Sequence, residues 1–387
     1  MTGLYPHQVH SKNMRIRPPL KKKPLPDGVD IFTKYLRDAG YAIGFPGHGK
    51  KDWGFIEPTS PPYDIGNWDS LTQKQPFFCQ YQFYDTHRVN KKIDGTFFPF
   101  LPCPEHPVDR ANVELHPYTP DTPEAREELG AYLENVNLLD MKIGALLADL
   151  KAKGLYETTI IVVMGDNGPP IFRGKGFLYE RGIRMPLIVR IPERFSPGVK
   201  PGTITDELVS ALDMAPTFID LAGGTIPDYM EGRIFFGPNQ QPEPEYLFAM
   251  RDRHGMNVDR CRSVASKTDK YIRNYVRGMT CFENSLGNVA GSRAGLKLFE
   301  QGKLSAAQAA YYTDKPEEEL YDLTTDPFEL NNLAQDPARE ETLTKFRKAL
   351  TGWIDETEDD GAFEDPDALK EMDRLFERQK QRRRTGK

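Results

Sequence analysis

The run Thr158-Thr159-Ile160-Ile161-Val162-Val163-Met164 ends in Gly165-Asp166-Asn167-Gly168-Pro169-Pro170. Its β-branched residues are apolar on both faces. A strand of that kind suits the middle of a parallel sheet covered by helices. The turn after it then lies at a C-terminal strand end, where open α/β sheets bind their ligands. Asp166 offers a carboxylate and Asn167 an amide oxygen, hard donors suited to calcium or magnesium. Asp-Asn-Gly is equally an ordinary turn tripeptide, so these residues alone leave both readings open.

Working outward, the spacing predicts helix and strand in alternation. Residues 31–39 read as a helix closed by Gly40, and 41–45 as a strand. Residues 76–83 read as a second strand, and the Pro-rich stretch 95–120 as a long surface loop. Thr122-Pro123-Glu124 opens a helix, with proline at a tolerated first position. Leu129, Leu133, Val136, Leu139, Ile143, Leu146 and Leu150 recur at three- and four-residue steps, one apolar face that ends before Gly154. Residues 187–191 form another apolar strand, and 206–222 a helix closed by Gly223-Gly224. This pattern is α/β, with a mainly parallel sheet.

Residues 225–245 are rich in proline and glycine and mark a boundary. Two domains are expected, 1–235 and a smaller α+β unit over 236–387. The second contains strands at 246–249, 262–265 and 270–275 and a helix over 340–357. The basic stretch from Arg374 to Lys387 reads as a solvated tail.

Composition narrows the function. The 387 residues carry a formal charge of -6, which argues against a nucleic-acid partner. No apolar run reaches the roughly 18 residues of a membrane span. No signal peptide is visible at the start. Cys79, Cys103, Cys261 and Cys281 match no zinc spacing. Cys79 reads as a buried thiol, and Cys261 and Cys281 are near enough in sequence for a loop disulfide.

The residues after Pro170 decide more. Arg173-Gly174-Lys175-Gly176-Phe177-Leu178-Tyr179-Glu180-Arg181-Gly182-Ile183-Arg184-Met185-Pro186 follows, in register with the Asp-Asn-Gly. Together they closely resemble the sulfatase family, of alkaline-phosphatase-like fold, in which D-N-G precedes K-x-x-x-Y-E-x-G-x-R-x-P. The resemblance implies that Asp166 and Asn167 ligate calcium and that Lys175 binds a sulfate oxygen. Glu180 and Arg184 look structural. Phe77-Phe78 through Asp85-Thr86-His87-Arg88 is similar to the family's F-F…D-P-H-R segment, with Thr86 in place of proline. His87 would then assist the leaving oxygen or hold the sulfate, work that suits imidazole. Without the resemblance, His87 is a loop histidine of no stated role.

Gly49-Lys50-Lys51-Asp52 is similar to the family's G-K-x-H, with Asp52 where histidine is common and His48 nearby. It implies that Lys50 and the residue at Asp52 reach substrate, although a carboxylate cannot be a cationic donor. Asp213-Met214-Ala215-Pro216-Thr217 looks like the family's D-x-x-P-T helix. Residues 251–253, 262–264 and 270–275 resemble the heparan N-sulfatase-like branch. Glu319-Leu320-Tyr321-Asp322-Leu323, Asp326-Pro327 and Asn332-Leu333-Ala334 match the C-terminal signature.

The resemblance also implies missing parts. The family's first, central strand carries two aspartates that complete the calcium site, and C-x-P-S-R supplies the residue that becomes formylglycine. None of the four cysteines precedes Pro-Ser-Arg. Met1-Thr2-Gly3-Leu4-Tyr5-Pro6-His7 is similar to the T-G-x-x-P-H just downstream of that motif. The chain is therefore expected to be a truncated sulfatase, inactive and poorly stable as written. Its complete form is expected to act on sulfate esters or sulfamates of glycans, in the periplasm or outside the cell. A sulfated-glycan-binding pseudoenzyme and a phosphatase or phosphodiesterase of the same superfamily are the alternatives. Translation of the DNA upstream of Met1 separates the first two: an in-frame C-x-P-S-R supports the enzyme, a stop codon the pseudoenzyme.

Overall fold

The computed structural model describes all residues except 15, 17–19, 48, 51, 90, 94–95, 196–199, 255–256, 285–288, 362–369, 371–373 and 375–387. His48 and the basic stretch beyond Arg374 thus lie outside the described residues. In chain order the strands are β1 Asn13–Met14, β2 Ala42–Gly44, β3 Phe77–Cys79, β4 Lys91–Ile93, β5 Thr96–Phe98, β6 Ile161–Met164, β7 Leu187–Arg190, β8 Leu247–His254, β9 Asn257–Ala265, β10 Asp269–Asn274 and β11 Glu318–Asp322. The helices are α1 Phe32–Asp38, α2 Trp68–Thr72, α3 Pro123–Ala152, α4 Glu180–Ile183, α5 Met214–Leu221, α6 Cys281–Asn284, α7 Ala290–Glu300, α8 Ala306–Ala309 and α9 Glu340–Glu356.

Local chemistry sets the long elements. The Thr122 hydroxyl accepts the amide of Ala125 at the start of α3, and Pro123 follows it. Gly154, at φ +68°, turns the chain out. The expected helix over 206–222 is shorter. Ser210 and Asp213 form a reciprocal capping box, so helical structure begins only there.

Among the described residues, the first half of the chain forms three two-stranded sheet pieces. β2 pairs with β3 in parallel, Ile43 opposite Phe78. β6 pairs with β7, Val162 opposite Val189, but antiparallel, so residues 187–190 do not extend a parallel ladder as their sequence suggested. The strand read over 76–83 is three residues long, because after Gln80 the chain leaves the ladder. The 95–120 stretch is irregular except for β5, which pairs with β4, and one turn at Arg110–Asn112.

A cavity of about 1970 Å³ is walled by β3, β6 and the helices around them. The apolar face of α3 explains its character. Leu129 and Leu150 at the ends of that face are buried. Val136, Leu139, Ile143 and Leu146 between them are only half-buried and line the cavity.

The second half is built on a five-stranded sheet, ordered β1-β8-β9-β10-β11. All its pairs are antiparallel except β1 with β8. Period-two alternation gives it two apolar faces. Tyr271 and Leu320 pack under Leu343, Phe346 and Leu350 of α9. Ile272 and Tyr321 face Phe177, Tyr179, Tyr311 and Tyr312. The strands exceed the predicted pieces because charged residues inside them are paired. Arg262, fully buried, meets Asp252 and Asp359. Lys315 meets Asp259 at 2.6 Å. All four cysteines are free thiols, so Cys261 and Cys281 are not bridged.

Glu128 of α3 caps the start of α7: its Oε1 accepts the Gly291 amide at 2.8 Å. Burial pushes its carboxyl up to about 8, against the pull of the Gly291 amide and of Arg88. The folded chain therefore keeps this proton after an unfolded one, titrating near 4.5, has lost it. Stability should fall as pH rises from about 5 to 8, since the folded state binds the extra proton. Glu128→Gln, which keeps the acceptor, should flatten that slope in urea midpoints. Identical slopes in parent and variant would show that Glu128 does not govern it.

Candidate active site

Lys50, Asp52, His87, Asp166, Asn167 and Lys175 all line this cavity of about 1970 Å³. Lys50 and His87 touch, Nζ to Nε2 at 2.8 Å. The ammonium donates, so this imidazole nitrogen accepts, which fixes the ring proton on Nδ1. Gln82 and Tyr84, which sequence reasoning passed over, build the surround. The Lys50 amide and the Tyr84 hydroxyl both donate to Gln82 Oε1, at 2.7 and 3.0 Å. The Tyr84 ring lies under Lys50 Nζ at 5.9 Å. No local signal marked them, because residues 79–83 alternate apolar and polar as a strand would, while the chain in fact leaves the ladder after Gln80.

Asp166 and Asn167 stand at the end of β6, and the Asn167 amide donates to the Asp166 carboxylate. The loop from there to β7 is held by its own backbone. Gly168 donates to Gly182 O at 3.1 Å and Lys175 to Pro169 O at 2.9 Å. A Cβ at Gly168 would meet Arg181 O at 1.9 Å, and one at Gly174 would meet Pro169 O at 2.0 Å. Only glycine permits so close an approach of backbone to backbone.

The same loop is stapled to the second-half sheet. Arg173 donates to the carbonyls of Phe328 and Glu329, at 3.2 and 2.9 Å, and its guanidinium stacks 3.8 Å over the Tyr179 ring. Tyr179 donates to Glu319 at 2.9 Å. The Glu180 amide donates to Glu329 Oε2 at 2.8 Å. Lys270, fully buried, pairs with Glu180 and, at 3.1 Å, with Glu329. Arg184 is exposed and lies 3.5 Å from Glu180.

Cys79 also lines the cavity, but burial pushes its thiol up to about 12, which keeps it protonated and poorly nucleophilic. Among the described residues no group of three or more His, Cys, Asp or Glu could hold a metal ion.

This geometry coincides with what the chain is similar to. Residues 66–224 match the family model described as Sulfatase. Residues 170–283 match N-sulphoglucosamine sulphohydrolase, C-terminal. An ulvan-active sulfatase of Formosa agariphila is 30% identical across 96% of this chain and 68% of its own length. The chain belongs to the sulfatase family. Human N-sulphoglucosamine sulphohydrolase is 27% identical over 74% of this chain, which spans 62% of that protein. A solved 2-O GAG sulfatase shares the fold, with a TM-score of 0.60 at 18% identity over 95% of this chain and 83% of its own. The molecule is thus α/β, with the alkaline-phosphatase-like architecture of sulfatases. Among the described residues no helix is long and apolar enough to cross a membrane.

Lys270→Met should strand Glu180 and Glu329 without their cation. Removing one partner of a buried ion pair costs about 3–5 kcal/mol. Chemical denaturation should show that loss, and protease cleavage between residues 165 and 187 should become faster. A variant as stable as the parent would mean that the loop is held by other contacts.

Proposed function

We propose that this chain contributes the substrate-binding part of a sulfatase centre that hydrolyses sulfate esters or sulfamates on glycans. The observation that carries the reading is the gathering of Lys50, His87 and Lys175 on the cavity that also receives the Asp166–Asn167 turn. Lys50 and Lys175 offset negative charge on the sulfuryl oxygens as the S–O or S–N bond breaks. His87 delivers a proton to the leaving oxygen or nitrogen. Asp52 accepts a hydroxyl of the sugar.

Calcium is the metal the family implies, and the residues present do not by themselves fit it. Asp166 and Asn167 bring at most three side-chain oxygens, whereas calcium takes roughly six to eight, and the Asn167 amide is turned onto the Asp166 carboxylate. Nor does the chain carry a residue preceding Pro-Ser-Arg to become formylglycine. No step is therefore routed through either group. The chain alone is inactive, and both the nucleophile and the further carboxylates belong to a segment that fills the cavity. A strand laid along β3 and β6 would supply them and pair two edges, at the strand end where such sheets keep their chemistry. A periplasmic or extracellular location is the one that membership of the sulfatase family suggests.

An aryl sulfate incubated with this chain should give no product above the uncatalysed rate. Lys50→Ala and Lys175→Ala should each weaken binding of a sulfated glucosamine disaccharide about 10-fold by calorimetry, the worth of one charge-assisted contact. Turnover by the chain alone would overturn the incomplete site. Unchanged binding in both variants would overturn the sulfate site.

A further inference from the structure

The parallel ladder of β2 and β3 ends where the Gln80 amide donates to Gly44 O at 3.0 Å. Beyond it the chain runs into the two segments that carry Lys50 and His87. Among the described residues no backbone-to-backbone hydrogen bond joins 46–54 to 81–88. Two glutamine side chains take over. Gln80 Oε1 accepts the Tyr63 hydroxyl at 2.6 Å. The Tyr63 ring stacks on Phe45, centroids 4.5 Å apart. The Gly49 backbone lies against Phe45 so closely that a Cβ there would fall 1.6 Å from the ring. That contact fixes the approach to Lys50.

Gln82 reaches one step further. Its Oε1 accepts the Lys50 amide at 2.7 Å and the Tyr84 hydroxyl at 3.0 Å. A backbone amide only donates, so the atom facing it is the carboxamide oxygen, and the Tyr84 hydroxyl spends its proton on the same oxygen. The Tyr84 ring stands edge-on to His87, centroids 6.0 Å apart, and under Lys50 Nζ at 5.9 Å. One acceptor thus fixes the backbone of one basic residue and the aromatic neighbour of both. The turn that carries His87 is tied separately to α3, where Asp85 accepts Lys142 Nζ at 2.5 Å. It is a fixed base against which Gln82 holds the Lys50 segment. Lys50 is exposed and its stem is long and flexible, so the place of its backbone decides what its ammonium can reach.

We propose that Gln82 is a positioning residue of the sulfate site, which acts on the anion through Lys50. This rests on the sulfatase reading above. It adds the residue that carries the geometry of the site from one segment to the other.

The test is a double-mutant cycle, read by calorimetric binding of a sulfated glucosamine disaccharide. Gln82→Leu keeps the bulk and removes the acceptor. Gln82→Asn keeps the chemistry and withdraws the oxygen by a methylene. Each should weaken binding about 5-fold in the parent chain, the worth of one hydrogen bond. In a Lys50→Ala background, which retains the amide at position 50, each should change affinity by less than about 2-fold. Equal weakening in the two backgrounds would show a merely structural role and overturn the proposal. So would unchanged affinity of both variants in the parent chain. Gln82→Asn decides alone if Gln82→Leu does not fold. If neither Lys50→Ala nor Lys175→Ala changes affinity, the sulfatase reading falls, and the proposal with it. If those two weaken binding and the glutamine variants do not, only the proposal falls.

Discussion

Lys270 Nζ is fully buried between the carboxylates of Glu180 and Glu329, and the placement of the site follows from that contact. The three residues come from different parts of the chain: β10, the loop between β6 and β7, and the turn after β11. Desolvating an ammonium costs several kcal/mol, so it is tolerated only with partners in good geometry. Burial pushes the Glu329 carboxyl up, and Lys270 and Arg173 pull it back. Glu329 also accepts the Glu180 amide on its other oxygen and Arg173 on its carbonyl. The loop cannot swing away without stranding charge on both sides. Asp166, Asn167 and Lys175 are thus aimed by packing against a rigid sheet, the arrangement that holds binding groups most accurately.

The cavity follows from the opposite situation, apolar surface that nothing covers. Val136, Leu139, Ile143 and Leu146 form the middle of a continuous α3 stripe, yet only its ends are buried. Each such side chain gains about 1.5–3 kcal/mol on full burial. β3 and β6 stand beside the same space, each with one ladder partner among the described residues. A strand between them would satisfy the backbone groups of both edges and cover the stripe. On the proposed reading, the element that completes the core is also the one that brings the nucleophile, so folding and activity depend on the same insertion.

What the sequence disclosed follows from which forces act locally. The start and end of α3 were legible because Thr122, Pro123 and Gly154 act on their own neighbours. The β-branched run was legible as a strand only in part: residues 161–164 form β6, but 158–160 fall outside it and its partner among the described residues is antiparallel. The late start of α5 was legible in principle, through Ser210 and Asp213, but the apolar pattern extending back to Asp206 outweighed it. The direction of β7 was not legible, since apolar residues do not encode which way a partner runs. Nor was the burial of Lys270 and Arg262, because a charged residue in a strand reads as solvent-facing until its partner, 59 or 97 residues away, is known.

The Lys50–His87 contact links binding to chemistry. Two basic side chains 2.8 Å apart share one proton-donating bond, with the face of Tyr84 as the nearby aromatic surface. While the ammonium donates to Nε2, that nitrogen has no proton to give. A sulfuryl oxygen entering the cavity is a better acceptor for the ammonium than imidazole is, because it carries charge. Once the ammonium turns to the anion, Nε2 is released. On the proposed reading, that freed nitrogen is the one through which His87 would serve the leaving group.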